Sequence, residues 1–441
     1  MKQKSKRFAA IIAIILCTAI AFLPAGCKTD DDTEGYSKNT SLDTSQDVLL
    51  RIVSGNVTWE EMDSVITKFS KIYPNCTVVY EYMEDYTDNL LLRLQQTEQK
   101  IDIFITPNIL ESTPYKEYAL NLISEDAQEI LDLSGANDGL VKNFRYVGAE
   151  NTQYAIPFGG EMRGMYVNKT LLSQYDLEVP KNRAELLHCC EVLYAAGYIP
   201  FQSSTGTFAQ QLLYPYICNL VVNGGKYEEM YAAIDNLDAG ISEYFRDAYA
   251  FLYDIVEKGY YDYKRVEEEL GYTFSGGTAK AMDFLNLAKV SEDVYEKQDD
   301  IGKIAFMPDT QSFDLYLSQM KSDYHSEIEY EFILSPVCVD GGVAYLSPTE
   351  GLAINNQSDK KDWALEFLNF FFSPEINTEF CTESGKVPNT ADALLQYDAD
   401  AAHTCNVGQM TFSNYNFYQI VTPLMTKGIE GDMVSISKND R

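Results

Sequence analysis

The chain has 441 residues, 46% of them hydrophobic, which is more than one core usually holds. Its formal net charge of −32 argues against a nucleic-acid partner, because binding nucleic acid requires a basic surface. The same acidity disfavours direct attraction to anionic lipid. We therefore expect an acidic protein with two lobes and no nucleic-acid-binding role.

The first 26 residues have the pattern of an export signal. A basic stretch, 2–7, precedes an apolar run, 8–23, which falls short of the roughly 20 apolar residues that a spanning helix needs. Residues 23–27, Leu-Pro-Ala-Gly-Cys, resemble the bacterial lipobox, whose cysteine is diacylated and becomes the mature N-terminus. The alternative is an ordinary signal peptide with a chance cysteine. We expect a lipid anchor at Cys27, on the extracytoplasmic face of the cell membrane.

A polar segment follows the anchor. Residues 27–47 contain only Tyr36 and Leu42 as sizeable apolar side chains, so we predict a flexible tether. No second hydrophobic run of spanning length occurs, so the lipid is expected to be the only membrane attachment. Removing the four positive charges of residues 1–26 changes the net charge from −32 to −36.

The globular pattern begins at residue 48 with alternating strands and helices. Residues 48–53 predict a buried strand, and apolar residues at helical spacing predict a helix over 62–72. A strand over 77–80, a helix around 90–94 and a strand over 101–105 follow. This alternation predicts an α/β fold with a mainly parallel sheet.

The later pattern is looser. Residues 154–166 are rich in strand-forming residues, and helices are predicted over 186–196 and 247–257. A late helix runs through Trp363 and Phe371, before Ser373-Pro374.

Catalytic signatures are scarce. Only three histidines occur, and none belongs to an HExxH motif. Gly277 stands where a P-loop would need its lysine, so nucleotide binding is not supported. We expect no enzyme activity, metal or cofactor.

The seven cysteines after Cys27 are odd in number and lack CxxC spacing, so we expect most to be buried apolar residues. The 32 tyrosines and 22 phenylalanines suit a cleft for a polar ligand, although most rings belong to cores.

Several segments, in order, resemble the family 1 extracellular solute-binding proteins of ABC importers, which include maltodextrin-binding and multiple-sugar-binding lipoproteins. The matching segments are FSKIYP at 69–74, IDIF at 101–104, YAIPF at 154–158, GMYVNK at 164–169, FSGGTAKAM at 274–282, EGLAI at 350–354 and GKVP at 385–388. Asn182-Arg183 departs from the family's usual Thr-Trp after Val179-Pro180.

The resemblance implies an α/β, two-lobed, type II periplasmic-binding-protein-like fold with discontinuous lobes and a ligand cleft between them. By position, lobe 1 is expected to comprise 48–157 plus 278–346, and lobe 2 to comprise 158–275 plus 347–441. The implied function is capture of a mono- or oligosaccharide by a monomer that delivers it to ABC transporter permease subunits. A non-sugar solute, a sensor-kinase partner and a surface glycan-acting enzyme are the alternatives.

Open parallel sheets bind ligands at the carboxyl ends of their strands, which directs attention to the loops there. In lobe 1, Trp59 is expected either to stack on a sugar or to pack at the start of a helix. Thr106 and Asn108 are expected either to form hydrogen bonds to the ligand or to form a turn. At the first crossing, Glu161 is expected to accept sugar hydroxyls and Arg163 to donate bonds or form an interlobe salt bridge.

Further candidates complete the predicted site. The first crossing also contributes Phe158, and the polar loop after Pro200 contributes Ser203 and Ser204, which suit hydroxyl recognition or an ordinary turn. Gly276 and Gly277 would let the backbone approach the ligand. The last crossing is flanked by Asp340, Tyr345 and Glu350, with Tyr345 as a second stacking candidate or a buried tyrosine bonded to backbone.

Overall fold

The computed structural model describes the chain from Tyr36 to Asn389 with gaps at 56–59, 97, 99, 107–113, 137–140, 142–150, 204–207, 209–211, 213–215, 217–228, 230–241, 263, 267–276, 292–293, 300, 339–344 and 349. Within these ranges, no helix combines the length and the apolar character that crossing a membrane requires.

Strands and helices alternate through the first part of the chain, as the periodicity predicts. The strands are β1 (Val48–Ser54), β2 (Cys76–Tyr82), β3 (Ile103–Thr106), β4 (Ile156–Pro157), β5 (Gly159–Asn168), β6 (Ile199–Phe201), β7 (Leu287–Ser291), β8 (Val294–Lys297), β9 (Ile304–Thr310), β10 (Tyr330–Ile333), β11 (Tyr345–Pro348), β12 (Gly351–Ile354) and β13 (Val387–Pro388). The helices are α1 (Glu60–Ile72), α2 (Tyr86–Leu94), α3 (Glu125–Gln128), α4 (Lys169–Gln174), α5 (Arg183–Ala195), α6 (Ser242–Glu257), α7 (Gly277–Phe284), α8 (Asp314–Asp323), α9 (Lys361–Phe371) and α10 (Pro374–Glu383). Short 3-10 helices occupy Pro114–Tyr118 and Gln311–Phe313. The predicted α/β class is confirmed. The prediction of a mainly parallel sheet is wrong: β1 pairs in parallel with β2 and β3, and β6 with β9, but the other described strand pairs are antiparallel.

The first sheet has the strand order β2-β1-β3-β12-β4. β1 pairs in parallel with both β2 and β3, whereas β12 pairs antiparallel with β3 and β4. One side of the sheet packs on α1, α9 and α10 through a large aromatic core in which Phe69 contacts Phe367 and Phe370. The predicted apolar face of α1 is the buried one, whereas α9 is buried beyond its predicted face, since Leu365, Glu366 and Phe370 are also buried.

The second sheet has the order β10-β5-β9-β6, and β11 and β13 also pair with β5. β5 is its centre, with antiparallel partners on both sides. Alternate residues of β5 enter different cores: Met165 and Val167 pack with α5 and α6, whereas Met162 and Tyr166 pack with α7 and α8. The sheet is thus covered on both faces over most of its length.

The strand pairing divides the chain differently from the predicted lobes. β9 and β10, which lie within 278–346, belong to the second sheet because they pair with β5. β12, which lies within 347–441, belongs to the first sheet because it pairs with β3 and β4. The chain crosses between the sheets near the expected boundaries at 157 and 347, but the segments on each side of the second boundary differ from the expectation. The boundary expected at 275–278 separates α6 from α7, and both helices pack on the second sheet.

The predicted tether is shorter than 27–47. Tyr36 is buried against the first core, and Leu42 packs beside the same core. Residues 41–46 form turns in which Asn39 and Asp43 side chains accept bonds from Ser41 and Ser45. The two apolar side chains of this segment can bind to the body of the protein, because they pack on a hydrophobic surface that the first core already provides.

Candidate functional site

The chain crosses between the two sheets at two neighbouring places. Phe158 alone separates β4 of the first sheet from β5 of the second, and residues 349–350 separate β11 from β12. The two crossings run side by side: Gly351 is opposite Pro157, and Pro348 is opposite Gly160. The Phe158 N–H donates to the Glu350 carbonyl oxygen at 2.9 Å. The two crossings therefore form one hydrogen-bonded junction.

A third segment reinforces this junction. β13 pairs with Gly159 and Gly160, and the Asn389 side-chain amide donates to the Pro157 carbonyl at 2.8 Å. The Asn377 side chain bridges the two strands, since it donates to the Phe158 carbonyl at 2.9 Å and accepts from the Asn389 N–H at 2.8 Å. The GKVP segment of the resemblance thus ends at the crossing itself.

Glu161 and Arg163 lie just beyond the junction on the same side of β5. Both are partly exposed, because the core that covers Met165 and Val167 on that side does not extend to them. Glu161 Oε1 accepts a hydrogen bond from Ser312 Oγ at 3.2 Å. Arg163 lies opposite Tyr345 on one side and Thr310 on the other. The structure therefore brings together Glu161, Arg163 and the backbone of Tyr345.

The first sheet contributes its strand ends to the same region. Thr106 ends β3 and lies opposite Gly351, next to the partly exposed Glu350. Thr106 itself is only 1% exposed, which favours a structural role over the predicted contact with ligand. Burial, and to a smaller extent the nearby carboxylates of Glu350 and Asp63, raises the pKa of the Tyr80 hydroxyl to about 12. Tyr80 is a neighbour of the site that the sequence pattern does not distinguish from other core tyrosines.

Two predicted binding residues are buried instead. The Phe158 ring is fully buried in the first core, with its centroid 5.7 Å from that of Phe371 and 5.6 Å from that of Phe380. Ser203 is also fully buried: its hydroxyl donates to the Pro308 carbonyl at 3.1 Å, and its own carbonyl accepts from Tyr261. Both residues hold the framework together, so the prediction that they face a ligand is corrected.

A nearly buried ion pair lies on the opposite face of the second sheet. Lys280 Nζ contacts the Asp309 carboxylate, and it lies 4.8 Å from the centroid of the Phe313 ring. The two side chains are 13% and 11% exposed. Asp309 therefore neutralises the positive charge of Lys280, which is not available for an anionic ligand.

Several predicted residues lie outside the described part of the chain: Trp59, Asn108, Ser204, Gly276 and Asp340, together with the anchor residue Cys27. Gly277 is the first residue of α7.

The chain thus has two sheets, each covered by helices, which are joined by two adjacent crossings with polar residues just past the junction. This arrangement is that of a two-part α/β protein. Residues 58–378 match the family model of the bacterial extracellular solute-binding proteins. The chain therefore belongs to this family, which is a family of solute-binding proteins.

Solved structures agree with this assignment at the level of the fold. A family 1 extracellular solute-binding protein from Bifidobacterium longum subsp. infantis is 17% identical, with a TM-score of 0.61 over 89% of this chain and 98% of that one. A binding protein of an ABC transporter from Bifidobacterium animalis subsp. lactis, in complex with mannobiose, is 18% identical, with a TM-score of 0.56 over 90% and 91%. Maltose-bound MalE3 of T. maritima is 15% identical, with a TM-score of 0.57 over 89% and 98%. No protein with a curated description matches the sequence.

Proposed function

We propose that this chain is the carbohydrate-binding component of an ABC importer, anchored by acyl chains on Cys27, which captures a mono- or oligosaccharide between two lobes and delivers it to a permease. The family assignment supports solute capture, and the sugars named for similar structures support a carbohydrate. The lipobox-like residues 23–27 support the anchor.

The observation that carries the carbohydrate proposal is the placement of Glu161 and Arg163 on the same side of β5, beside the chain crossing. A carboxylate accepts hydrogen bonds from sugar hydroxyls, whereas a guanidinium donates two bonds in one plane. Residues next to a crossing contact both parts of a two-lobed protein, so a ligand held there favours the closed arrangement through its additional contacts.

A neutral sugar fits the charges of this region better than an acidic one. Lys280 is already paired with Asp309, and the carboxylates of Glu161 and Glu350 lie near the same junction. A ligand carboxylate would be repelled by these groups, whereas hydroxyls form hydrogen bonds to them.

The test is a thermal-shift screen of the purified chain against neutral oligosaccharides, uronates, amino acids and peptides. We expect a neutral sugar to raise the melting temperature in proportion to the logarithm of its concentration. Stabilisation by peptides or amino acids alone, with no response to any glycan, would contradict the carbohydrate assignment.

Site variants locate the binding. Glu161→Gln should weaken the affinity for the identified sugar at least tenfold, because a bond to a charged acceptor is replaced by a weaker one. Glu257→Gln, at an exposed helix end, is the matched control and should leave the affinity unchanged. Equal affinities of the two variants would place the ligand elsewhere. Cys27→Ala should release the chain from the cell membrane, which fractionation measures.

A further inference from the structure

The segment Tyr36–Asn39, which we call the strap, is bound to the first core. The Tyr36 ring packs edge-on against Phe370 of α9, with 5.1 Å between centroids. Its hydroxyl contacts the Glu366 carboxylate and lies 3.0 Å from the hydroxyl of Tyr73, the residue that follows α1. The strap thus spans two helices of the first core.

Glu366 is the centre of these contacts. It is 0% exposed, and its Oε1 accepts from the Tyr73 hydroxyl at 2.6 Å and from the Asn39 N–H at 3.3 Å, besides the Tyr36 hydroxyl. Burial, and then the bond to Glu366, raises the pKa of both tyrosine hydroxyls far above the ordinary value, so both remain donors. All three donors reach Oε1, whereas Oε2 is buried with no hydrogen-bond partner among the described residues, so the buried carboxylate depends on these three bonds.

Lys38 adds a second attachment. Its Nζ donates to the Ile72 carbonyl at 2.8 Å, at the end of α1, where backbone carbonyls lack helical partners. It also lies 4.8 Å from the centroid of the Tyr73 ring, within reach of a cation–π contact. Two of the three donors to Glu366 come from the strap, so its detachment would leave the carboxylate under-satisfied.

We propose that the strap is a latch that shortens the lipid leash and turns the face around the exposed end of α1 toward the bilayer. This inference rests on the proposed anchor at Cys27. Only residues 28–35 then separate the anchor from the body, which gives a reach of at most about 30 Å. A free tether to residue 48 would reach about 70 Å. The partner of this face is the lipid surface, held near it by a short covalent link.

The test uses the lipidated full chain in phosphatidylcholine vesicles that contain rhodamine-labelled lipid. Cys218→Ser and Cys405→Ser are introduced first, so that the dye reacts with an added cysteine. The donor dye is then attached to Lys71→Cys, at the exposed end of α1, or to Lys297→Cys, on the β7–β8 hairpin. We expect at least twofold more energy transfer from position 71 than from position 297. Tyr36→Phe together with Lys38→Met should remove that difference.

Hydrogen exchange tests the latch separately from the membrane. The Asn39 amide should be protected, and Tyr36→Phe should accelerate its exchange at least tenfold, whereas Tyr82→Phe, at a tyrosine that is 48% exposed, should not. Exchange of the wild-type Asn39 amide at the rate of an unstructured peptide would overturn the latch. Equal energy transfer from the two dye positions would overturn the orientation.

The two proposals fail in different ways. If the chain does not sediment with vesicles, the anchor at Cys27 and the membrane-facing role are both wrong. Protection of the Asn39 amide can then still be measured on the protein in the supernatant, where it supports or overturns the attachment of the strap.

Discussion

The first sheet takes three of its five strands from one continuous stretch, 48–106, whereas the second is assembled around β5 from segments as distant as 199–201 and 387–388. The first sheet packs on a large aromatic core, which also buries Tyr36 of the strap, and on a smaller apolar core at its other face. The second also has two cores, one on each face of β5, and carries Glu161 and Arg163 where one of them ends. At the junction, the first core buries the Phe158 ring, whereas the second sheet leaves the charged side chains of Glu161 and Arg163 partly exposed.

The largest expected effect comes from opening the core beside the junction. Phe371→Ala removes a fully buried ring that contacts Phe158 and Phe380, and it should cost about 3–5 kcal/mol of unfolding free energy. Urea denaturation measures the loss. Leu92→Ala, at a side chain that is 63% exposed, is the control and should change stability by less than about 0.5 kcal/mol. A loss below about 1 kcal/mol for Phe371→Ala would mean that this core does not support the crossing.

The charged pair of the second sheet gives the next largest effect. Lys280→Met leaves the Asp309 carboxylate nearly buried without its cation, and it should cost about 2–4 kcal/mol. Lys258→Met breaks an ion pair with Asp254 on the exposed surface of α6 and should cost no more than about 0.5 kcal/mol. Denaturation midpoints at low and high salt compare the two pairs. Similar losses in both variants would show that the Lys280–Asp309 pair is screened by solvent.

The junction itself is sensitive to added volume. A Cβ at Gly159 would lie 2.4 Å from the Val387 carbonyl oxygen and 2.9 Å from Cys381 Sγ, so Gly159→Ala must separate β13 from β5. We expect a loss of about 1–3 kcal/mol. Gly135→Ala is the matched control, because nothing lies within 4 Å of its added Cβ. Thermal unfolding of the two variants should separate them, and equal melting temperatures would contradict the tight crossing.

The smallest effect concerns the thiols. Burial raises the pKa of Cys76 and of Cys381 to about 12 and that of Cys189 to about 11. At pH 8 only about one in ten thousand of the first two thiols is ionised, so iodoacetamide should modify none of the three in the folded chain within an hour. Peptide mapping before and after unfolding in urea measures this. Rapid alkylation of Cys76 alone would indicate local opening of the first sheet at β2.

Much of the first sheet could be predicted because its information is local. The apolar spacing of Met62, Phe69 and Ile72 fixes a helix, and the strand that follows differs from its predicted bounds by no more than two residues at either end. The candidate site stays a prediction: Glu161 and Arg163 lie beside the first crossing and are partly exposed. Phe158 and Ser203 do not face the site, because burial of a side chain depends on which distant residues reach it.

The strap shows the same limit from the other side. Tyr36 in a polar stretch carries no periodic signal, and only the surface made by Phe370, Tyr73 and Glu366 gives it a place to bind. Glu366 is a buried residue of α9, although a glutamate is normally expected on an exposed helix face. Its burial can be predicted only when the partners of its carboxylate are known. Such partners come from residues separated by as many as 330 positions.

The sequence by itself determined the export pattern, the acidity and the alternation of strands and helices in the first part of the chain, because each depends on residues close together in the chain. The tertiary structure alone decided which sheet receives β9, β10 and β12, which side chains remain exposed beside the junction, and where the strap binds. These features depend on pairing and burial between distant segments, whose free energies no short stretch of sequence contains.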